Sequence, residues 1–494
     1  MEKDSLRFKV IDHIVRFSFG NTIKSIGQFI NQYVAAFILG PAIFGVWQGV
    51  KLVLSYGTCV DLGTTSALYR EVPLLRGKGE QEKIREIKDA SFTFTLGGTV
   101  ILAFVLFLST FFLRFSIEAI LSLRFVALIL LLQFLRGFYE TWLKAHHEFG
   151  IISKIAIIDG VGSVLSLFLI FSLSFLGFLI GQTIVAFVCA LYAYVKSKCR
   201  INFVWNSTVL KNLIVIGFPI MLIIFSGELF NTADRFFILR FLNSKMLGVY
   251  SLGILAFMPI NFLFYSANSV MYPRFSERFG ATQKSESLKK FITFPIEIFS
   301  LIIPVLIGEI VVILPALVEL FLPKYTEGID AARIVLFGLF FSSIVGMIGN
   351  FFLSTNRQYL YLKILLSGVI LNVILCIVLL QLNFGIVGVA IGKFVSYFFF
   401  FVVTVVAALH YCGVSGRESA GFILKTCLPV VYVIITSSLI PMFININNQT
   451  ILSVAMGVAL QSIIFLILNS YLLILFFKKA ELKKYALILW RKGR

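Results

Sequence analysis

Four polar residues that could do chemistry interrupt an apolar stretch of the chain, residues 221–239. They are Glu228, Asn231, Asp234 and Arg235. At 100° per residue, Glu228, Asn231 and Arg235 fall on one face of a helix, and Asp234 lies off that face. Ionisable groups at membrane depth are costly and mark substrate paths, ion sites or conformational latches, so we predict a functional site here. The alternative is an internal ion pair that only holds two helices together.

Three further basic residues lie inside apolar segments, namely Lys24, Lys51 and Lys393. Helical spacing places Lys24 and Gln28 on one polar face. A single water-filled cavity that binds an anion explains these lysines together with Arg235. The alternative is that the long side chains snorkel to the membrane interface, which suits Lys51 and Lys393 better than the other two cations.

The composition places this chain among polytopic membrane proteins. Of its 494 residues 59% are hydrophobic, 54 are Phe, and only 14% are charged. Apolar runs recur from end to end, each of about twenty residues, enough to cross roughly 30 Å of hydrocarbon as a helix. We therefore predict an all-α fold with about fourteen spans. They lie near residues 13–38, 42–68, 91–113, 118–141, 151–173, 176–195, 212–240, 247–271, 292–321, 333–354, 360–381, 385–410, 426–444 and 450–476.

The basic residues are distributed very unevenly between the two sides of the membrane. The predicted segments on the side of the N-terminus carry 33 Lys and Arg, and the opposite side carries six. Because basic loops stay in the cytoplasm, this predicts a multi-pass protein of the cytoplasmic (inner) membrane with both termini cytoplasmic. The net charge of +19 thus reflects topology rather than nucleic-acid binding, and the basic residues 478–494 would also attract anionic membrane lipid.

The chain also contains an internal repeat. At a constant offset of 203 residues, Leu39 matches Leu242, Gly45 matches Gly248, and Tyr69 matches Tyr272, among others. The offset spans six predicted helices, an even number, so the copies share one orientation and a pseudo-two-fold axis along the membrane normal. The predicted organisation is a six-helix lobe at 1–205, a second at 206–411, and two additional C-terminal helices with a basic tail at 412–494.

Motifs for other kinds of chemistry are missing. The six cysteines form no CxxC pair, and His146, His147 and Glu148 have no second ligand pair, so we predict no metal site. No nucleotide-binding loop occurs, because the Gly392-Lys393 pair lacks the required glycine before it. We therefore expect neither an enzyme nor ATP as the direct energy source, and no cofactor other than a coupling ion, H⁺ or Na⁺.

Several segments resemble one transporter family over nearly the whole chain. Residues 39–47 (LGPAIFGVW) and 61–79 (DLGTTSALYREVPLLRGKG) look like the first two helices of polysaccharide flippases of the Wzx type. So do residues 234–235 leading to 248–251 (GVYS) and 272–276 (YPRFS), and residues 356–363 and 385–392 resemble the eleventh and twelfth helices. These motifs are typical of the wider multidrug/oligosaccharidyl-lipid/polysaccharide (MOP) exporter superfamily.

This resemblance implies a secondary transporter that turns over a polyprenyl-diphosphate-linked oligosaccharide for surface polysaccharide assembly: O-antigen, capsule or exopolysaccharide. Polymerase and chain-length machinery would be further partners. The family's cationic cavity would here comprise Lys24, Lys51, Arg235 and Lys393, with Gln28 and Asn231 beside them. The acids Glu228, Asp234 and Asp61 would either tune these cations or bind the coupling ion.

Three alternatives to this function remain. A peptidoglycan lipid-precursor flippase would differ only in its cargo. A cation-coupled multidrug exporter on the same fold would favour an acidic or aromatic cavity, against which the intramembrane cations argue. A membrane enzyme such as a polymerase should have a sizeable extramembrane domain, and the longest predicted loops here are only about twenty residues.

Overall fold

The computed structural model describes residues 2–112, 116–443 and 451–479. Side chains are described for these residues except 2–17, 262–263, 265–274, 276–277, 443 and 451–452. Arg114 and most of the basic tail therefore lie outside the described residues.

The described chain is built from α-helices joined by short connections, which confirms the predicted all-α class. In chain order the helices are α1 (Glu2–Gly57), α2 (Thr64–Gly77), α3 (Gln81–Phe112), α4 (Ile117–Ala145), α5 (Phe149–Leu165), α6 (Leu167–Ser197), α7 (Ser207–Phe241), α8 (Ser244–Thr282), α9 (Lys289–Phe321), α10 (Ile329–Ser354), α11 (Gln358–Gln381), α12 (Gly385–Tyr411), α13 (Gly416–Phe443) and α14 (Ile451–Leu468). Short 3₁₀ segments lie at Thr58–Asp61, Ser285–Leu288 and Pro323–Gly328.

Within the described ranges, ten helices are long and apolar enough to cross a membrane, or up to eleven if the bent pair Ser453–Leu468 and Ser470–Lys479 is one span. The predicted fourteen are reached when the two halves of α1 are counted separately and α5 and α8 are included. α9 is one helix although it contains Pro304 and Pro315.

The break predicted between the first two spans, after residue 38 and before residue 42, coincides with a bend in the structure, but the predicted end of the second span is wrong. α1 is bent inside, at Gly40, whose φ of 71° is left-handed. The helix then ends at Gly57, well before the predicted boundary at 68, and the short helix α2 follows. Leu62 (φ 47°) and Gly63 (φ 84°) both adopt left-handed backbone, which stops the helix and turns the chain into α2.

The chain divides into two compact units, residues 1–248 and 249–494. In the first unit α1 packs against α4, α5, α6 and α7, and α7 also packs against α2 and α3. In the second, α9 packs against α10, α13 and α14, and α12 packs against α10, α11 and α13. The division into lobes at 205 and the two-fold axis between them stay predictions.

Two glycines allow α1 and α5 to approach backbone to backbone. A Cβ atom on Gly27 would lie 2.1 Å from the carbonyl oxygen of Gly160, and one on Gly160 would lie 2.4 Å from that of Ile23. Such contacts between small residues are how membrane helices pack closely without a hydrophobic driving force. This crossing places the polar face of α1 directly against α5.

Candidate functional site

The carboxylate of Asp159 in α5 interacts with side chains from two other helices. Its Oδ2 accepts a hydrogen bond from Arg136 Nη1 of α4 at 2.6 Å and lies 3.5 Å from Lys24 Nζ of α1. Its Oδ1 accepts a hydrogen bond from Gln28 Nε2 at 3.2 Å. The side chain of Asp159 is 5% exposed, whereas that of Lys24 is 31% exposed. The carboxylate is therefore enclosed, and the ammonium group stays accessible.

A second carboxylate completes this network. Arg136 Nε donates to Glu140 Oε1, one turn further along α4, at 2.7 Å. Lys24, Arg136, Asp159 and Glu140 together are electrically balanced, which is how charges persist at membrane depth. We refer to these four residues as the Asp159 network.

Sequence analysis found only part of this network. Lys24 and Gln28 were predicted, but Arg136 was counted with a cytoplasmic loop although it lies within α4. Arg136 is thus a basic residue paired with a buried carboxylate in the first unit, and its assignment to a loop missed this. The sequence signal for Asp159 is an acidic residue inside the predicted span 151–173.

Amide side chains continue the polar face of α1 beyond the Asp159 network. Asn31 Nδ2 donates to the carbonyl of Ser163 at 2.7 Å and to Ser166 Oγ at 2.9 Å. Gln182 Nε2 of α6 donates to Asn31 Oδ1 at 2.9 Å. Asn31 is 1% exposed, so this part of the face is a satisfied buried contact between α1, α5 and α6.

A second polar group joins the later part of α1 to α7. Tyr56 Oη and Thr232 Oγ1 are hydrogen-bonded at 2.7 Å, and Thr232 also donates to the carbonyl of Glu228 at 2.6 Å. Glu228 and Arg235 both interact electrostatically with the ammonium group of Lys51. The structure thus brings three of the predicted site residues into one electrostatic neighbourhood.

Arg235 differs from the other charged groups of this region. In the described part of the chain no direct ion pair joins it to Glu228, although both were predicted on one face of α7. Its Nε is buried and has no hydrogen-bond partner there. A buried guanidinium donor without an acceptor is costly, so an anion bound at this point would be favoured.

The remaining predicted residues lie in different environments. Asp61 accepts hydrogen bonds from the backbone N–H groups of Gly63 at 2.8 Å and Thr65 at 3.2 Å, where α2 begins. Asn231 is exposed, whereas Asp234 is fully buried. Lys393 belongs to the second unit, is 1% exposed and lies 5.5 Å from the ring centroid of Tyr397. The roles predicted for these residues stay predictions.

The described residues contain no group of three or more His, Cys, Asp and Glu that could hold a metal ion. His146 instead packs on the ring of Trp142, 4.2 Å between centroids, at the end of α4. Burial lowers the pKa of this imidazole.

Comparison with known proteins identifies the family. The family model described as "Polysaccharide biosynthesis protein" matches residues 12–279, more than half of the chain. The chain belongs to this family, whose members are Wzx-type flippases, and the predicted resemblance is thereby confirmed. No curated protein sequence matches the chain significantly.

Solved structures show the same fold. The lipid II flippase MurJ in its inward closed conformation is similar with a TM-score of 0.68 and 13% identity, over 94% of this chain and 99% of that one. A MATE transporter of Vibrio cholerae has a TM-score of 0.58 and 17% identity, over 84% and 98%. A MOP superfamily transporter from Pyrococcus furiosus has a TM-score of 0.57 and 17% identity, over 81% and 95%. The chain is therefore a multi-pass membrane protein with the fold of MOP transporters.

Proposed function

We propose that this protein is a flippase that moves a polyprenyl-diphosphate-linked oligosaccharide across the cytoplasmic membrane for the assembly of a surface polysaccharide. The family assignment supports a role in polysaccharide biosynthesis, and the MOP fold supports transport rather than an enzymatic step. The charge distribution supports cytoplasmic termini. Polymerase and chain-length machinery would act on the oligosaccharide after it reaches the outer leaflet.

The buried donor of Arg235 is the observation that carries this proposal. A diphosphate that leaves water needs compensating charge and hydrogen-bond donors. Arg235 Nε is such a donor without a protein acceptor among the described residues. Lys24 adds a cation that remains 31% exposed while Asp159 holds it in place. Both features favour an anionic cargo over the cationic cargo of a drug exporter.

The carboxylates provide a means of coupling this cargo to an ion gradient. While Asp159 and Glu140 are ionised, they occupy Arg136 and compete with an anion for Lys24. A proton or sodium ion that neutralises a carboxylate would release its cation for the diphosphate, and departure of the ion would restore the pairing. Glu228, which acts on Lys51, is placed to do the same near α7, with Asp234 and Asp61 as further candidates.

A peptidoglycan lipid-precursor flippase is the second candidate. It is favoured by the similarity to the lipid II flippase MurJ over 94% of this chain. A peptidoglycan precursor would present the same diphosphate to Lys24 and Arg235, so the two candidates differ only in the sugar.

Reconstitution of the purified full-length chain into liposomes tests the proposal. Vesicles are loaded with either a polyprenyl-diphosphate-linked oligosaccharide or lipid II, and outward movement is followed by the access of an added lectin or antibiotic to the sugar. We expect movement of the oligosaccharide and none, or much less, of lipid II. Movement of lipid II alone would select the second candidate, and movement of neither would contradict both.

A further inference from the structure

Glu309 is an intramembrane carboxylate that the function described so far does not use. It lies in the interior of α9, between Pro304 and Pro315, in a helix apolar enough to cross the membrane. Its Oε2 atom is buried and has no hydrogen-bond partner among the described residues. The residue as a whole is half-buried, but this oxygen has neither solvent contact nor a protein donor, which is costly for an ionised carboxylate in a membrane.

The helices around Glu309 are α10, α13 and α14. A Cβ atom on the preceding residue, Gly308, would lie 2.5 Å from Phe465 of α14 and 2.5 Å from Val433 of α13. α9 is therefore in close contact with both C-terminal helices at the level of Glu309. Both of these contacts are apolar.

Several ionisable groups on the neighbouring elements have partners of their own. On α13, Lys425 lies two turns before Val433 and is 3.3 Å from Glu297, and Tyr432 Oη donates to the carbonyl of Leu468 at 2.7 Å. Arg333 and Asp330 pair with each other at the start of α10. The other groups on these elements are Arg417, Glu418 and Cys427 of α13, Glu286, Lys324, Tyr325 and Glu327 of the 3₁₀ segments, and Lys289, Lys290 and Glu319 at the ends of α9.

α14 has no ionisable side chain, but it contributes a second buried acceptor. Asn469, one turn beyond Phe465, donates through Nδ2 to Thr436 Oγ1 at 3.2 Å. Its Oδ1 is buried without a hydrogen-bond partner in the described part of the chain. This part of the second unit therefore holds two buried oxygen acceptors, one on α9 and one after α14, each without a hydrogen-bond partner among the described residues.

We infer that Glu309 is a further binding site for the monovalent cation, H⁺ or Na⁺, whose gradient drives transport, in addition to the carboxylates beside the basic residues of the first unit. Neutralising the carboxylate removes the cost of its buried charge, and oxygen acceptors are the groups that either cation binds. The inference rests on the proposed function for its role in transport. The binding site itself does not depend on which lipid is moved.

Two binding measurements test the site without any transport assay. Infrared spectra of the purified protein in lipid report the carbonyl stretch of a protonated carboxyl group, and radioactive sodium reports Na⁺ binding. We expect at least one of these signals in the parent protein, its loss in Glu309→Gln, and its retention in Glu319→Gln, the matched control at the end of the same helix. Glu309→Asp keeps the charge and should retain the signal with a shifted affinity. If Glu309→Gln gives the same two signals as the parent, the site is excluded.

A transport assay distinguishes failure of this inference from failure of the proposed function. In liposomes, Glu309→Gln should flip the lipid-linked oligosaccharide at a rate that no longer responds to an imposed pH or sodium gradient, whereas Glu319→Gln should respond like the parent. Unchanged gradient dependence in Glu309→Gln would overturn the coupling role. If the parent protein flips no lipid, the proposed function fails, and the infrared and sodium measurements still decide whether Glu309 binds a cation.

Discussion

Arg136 Nη1 donates a hydrogen bond to Asp159 Oδ2 at 2.6 Å, joining α4 to α5 inside the first unit. Arg136 also donates a hydrogen bond to Glu140. Asp159 also forms an ion pair with Lys24 and accepts a hydrogen bond from Gln28. Each charge in the Asp159 network thus has a partner of opposite sign. Such a network can hold the helices together, regulate access of an anion to the cations, or do both, and these roles predict different mutant behaviour.

Asp159→Ala should destabilise the protein strongly. Removing this carboxylate leaves Arg136 and Lys24 short of counter-charge, and breaking a buried ion pair costs about 3–5 kcal/mol. The matched control is Glu80→Ala, which removes a carboxylate 2.8 Å from Lys83; the side chains of Glu80 and Lys83 are 35% and 64% exposed. Exposed pairs are worth about 0–1 kcal/mol. Thermal unfolding in detergent measures both, and equal small effects would mean that the Asp159 network does not hold the fold.

Lys24→Ala and Arg235→Ala should each abolish export of the surface glycan while protein level is maintained. A charge-assisted hydrogen bond is worth about 1.5–3 kcal/mol, and neither cation can replace the other. Arg235→Lys should be partly active, because a point charge lacks the bidentate fork of a guanidinium. The matched control is Arg240→Ala, an exposed arginine on the same helix. Normal export by the double variant Lys24→Ala, Arg235→Ala would contradict the cationic site.

Glu228→Gln tests coupling near α7. We expect this variant to bind the lipid-linked substrate but to lose the dependence of flipping on pH or sodium, since its charge no longer acts on Lys51. Reconstituted protein under an imposed gradient provides the measurement, with Glu71→Gln as the control. Gradient-dependent flipping equal to that of the parent would place the ion switch elsewhere.

Gly27→Ala should disturb the crossing of α1 and α5. The new Cβ would lie 2.1 Å from the carbonyl oxygen of Gly160, so the helices must move apart and separate Lys24 from Asp159. Gly97→Ala is the control, because a Cβ there meets nothing within 4 Å and alanine favours a helix by about 1 kcal/mol over glycine. We expect a lower unfolding temperature for Gly27→Ala only. Similar temperatures for both variants would show that the crossing tolerates a methyl group.

Reporter fusions test the topology predicted from the basic residues. Fusions after Lys290 and after Arg494 should both report a cytoplasmic location, because 33 Lys and Arg lie on that side and six on the other. An external signal at either position would mean that a span has been miscounted.

The sequence by itself determined the class of protein and the positions of most membrane helices. Hydropathy and the distribution of charge are local properties, because each helix must meet lipid over its own length whatever its neighbours are. For the same reason Lys24, Lys51, Arg235 and Lys393 could be placed within helices from the sequence. Family motifs then led to the correct fold and family.

Only the tertiary structure decided which charges meet. Helical spacing predicted that Glu228 and Arg235 share one face of α7, yet no ion pair joins them within the described ranges. The Asp159 network instead joins α1, α4 and α5, with partners up to 135 residues apart in the chain. Spacing along one helix cannot predict such contacts, because they depend on which helices cross and how closely. Here the glycines Gly27 and Gly160 set that distance, and their effect exists only once the two helices pack together.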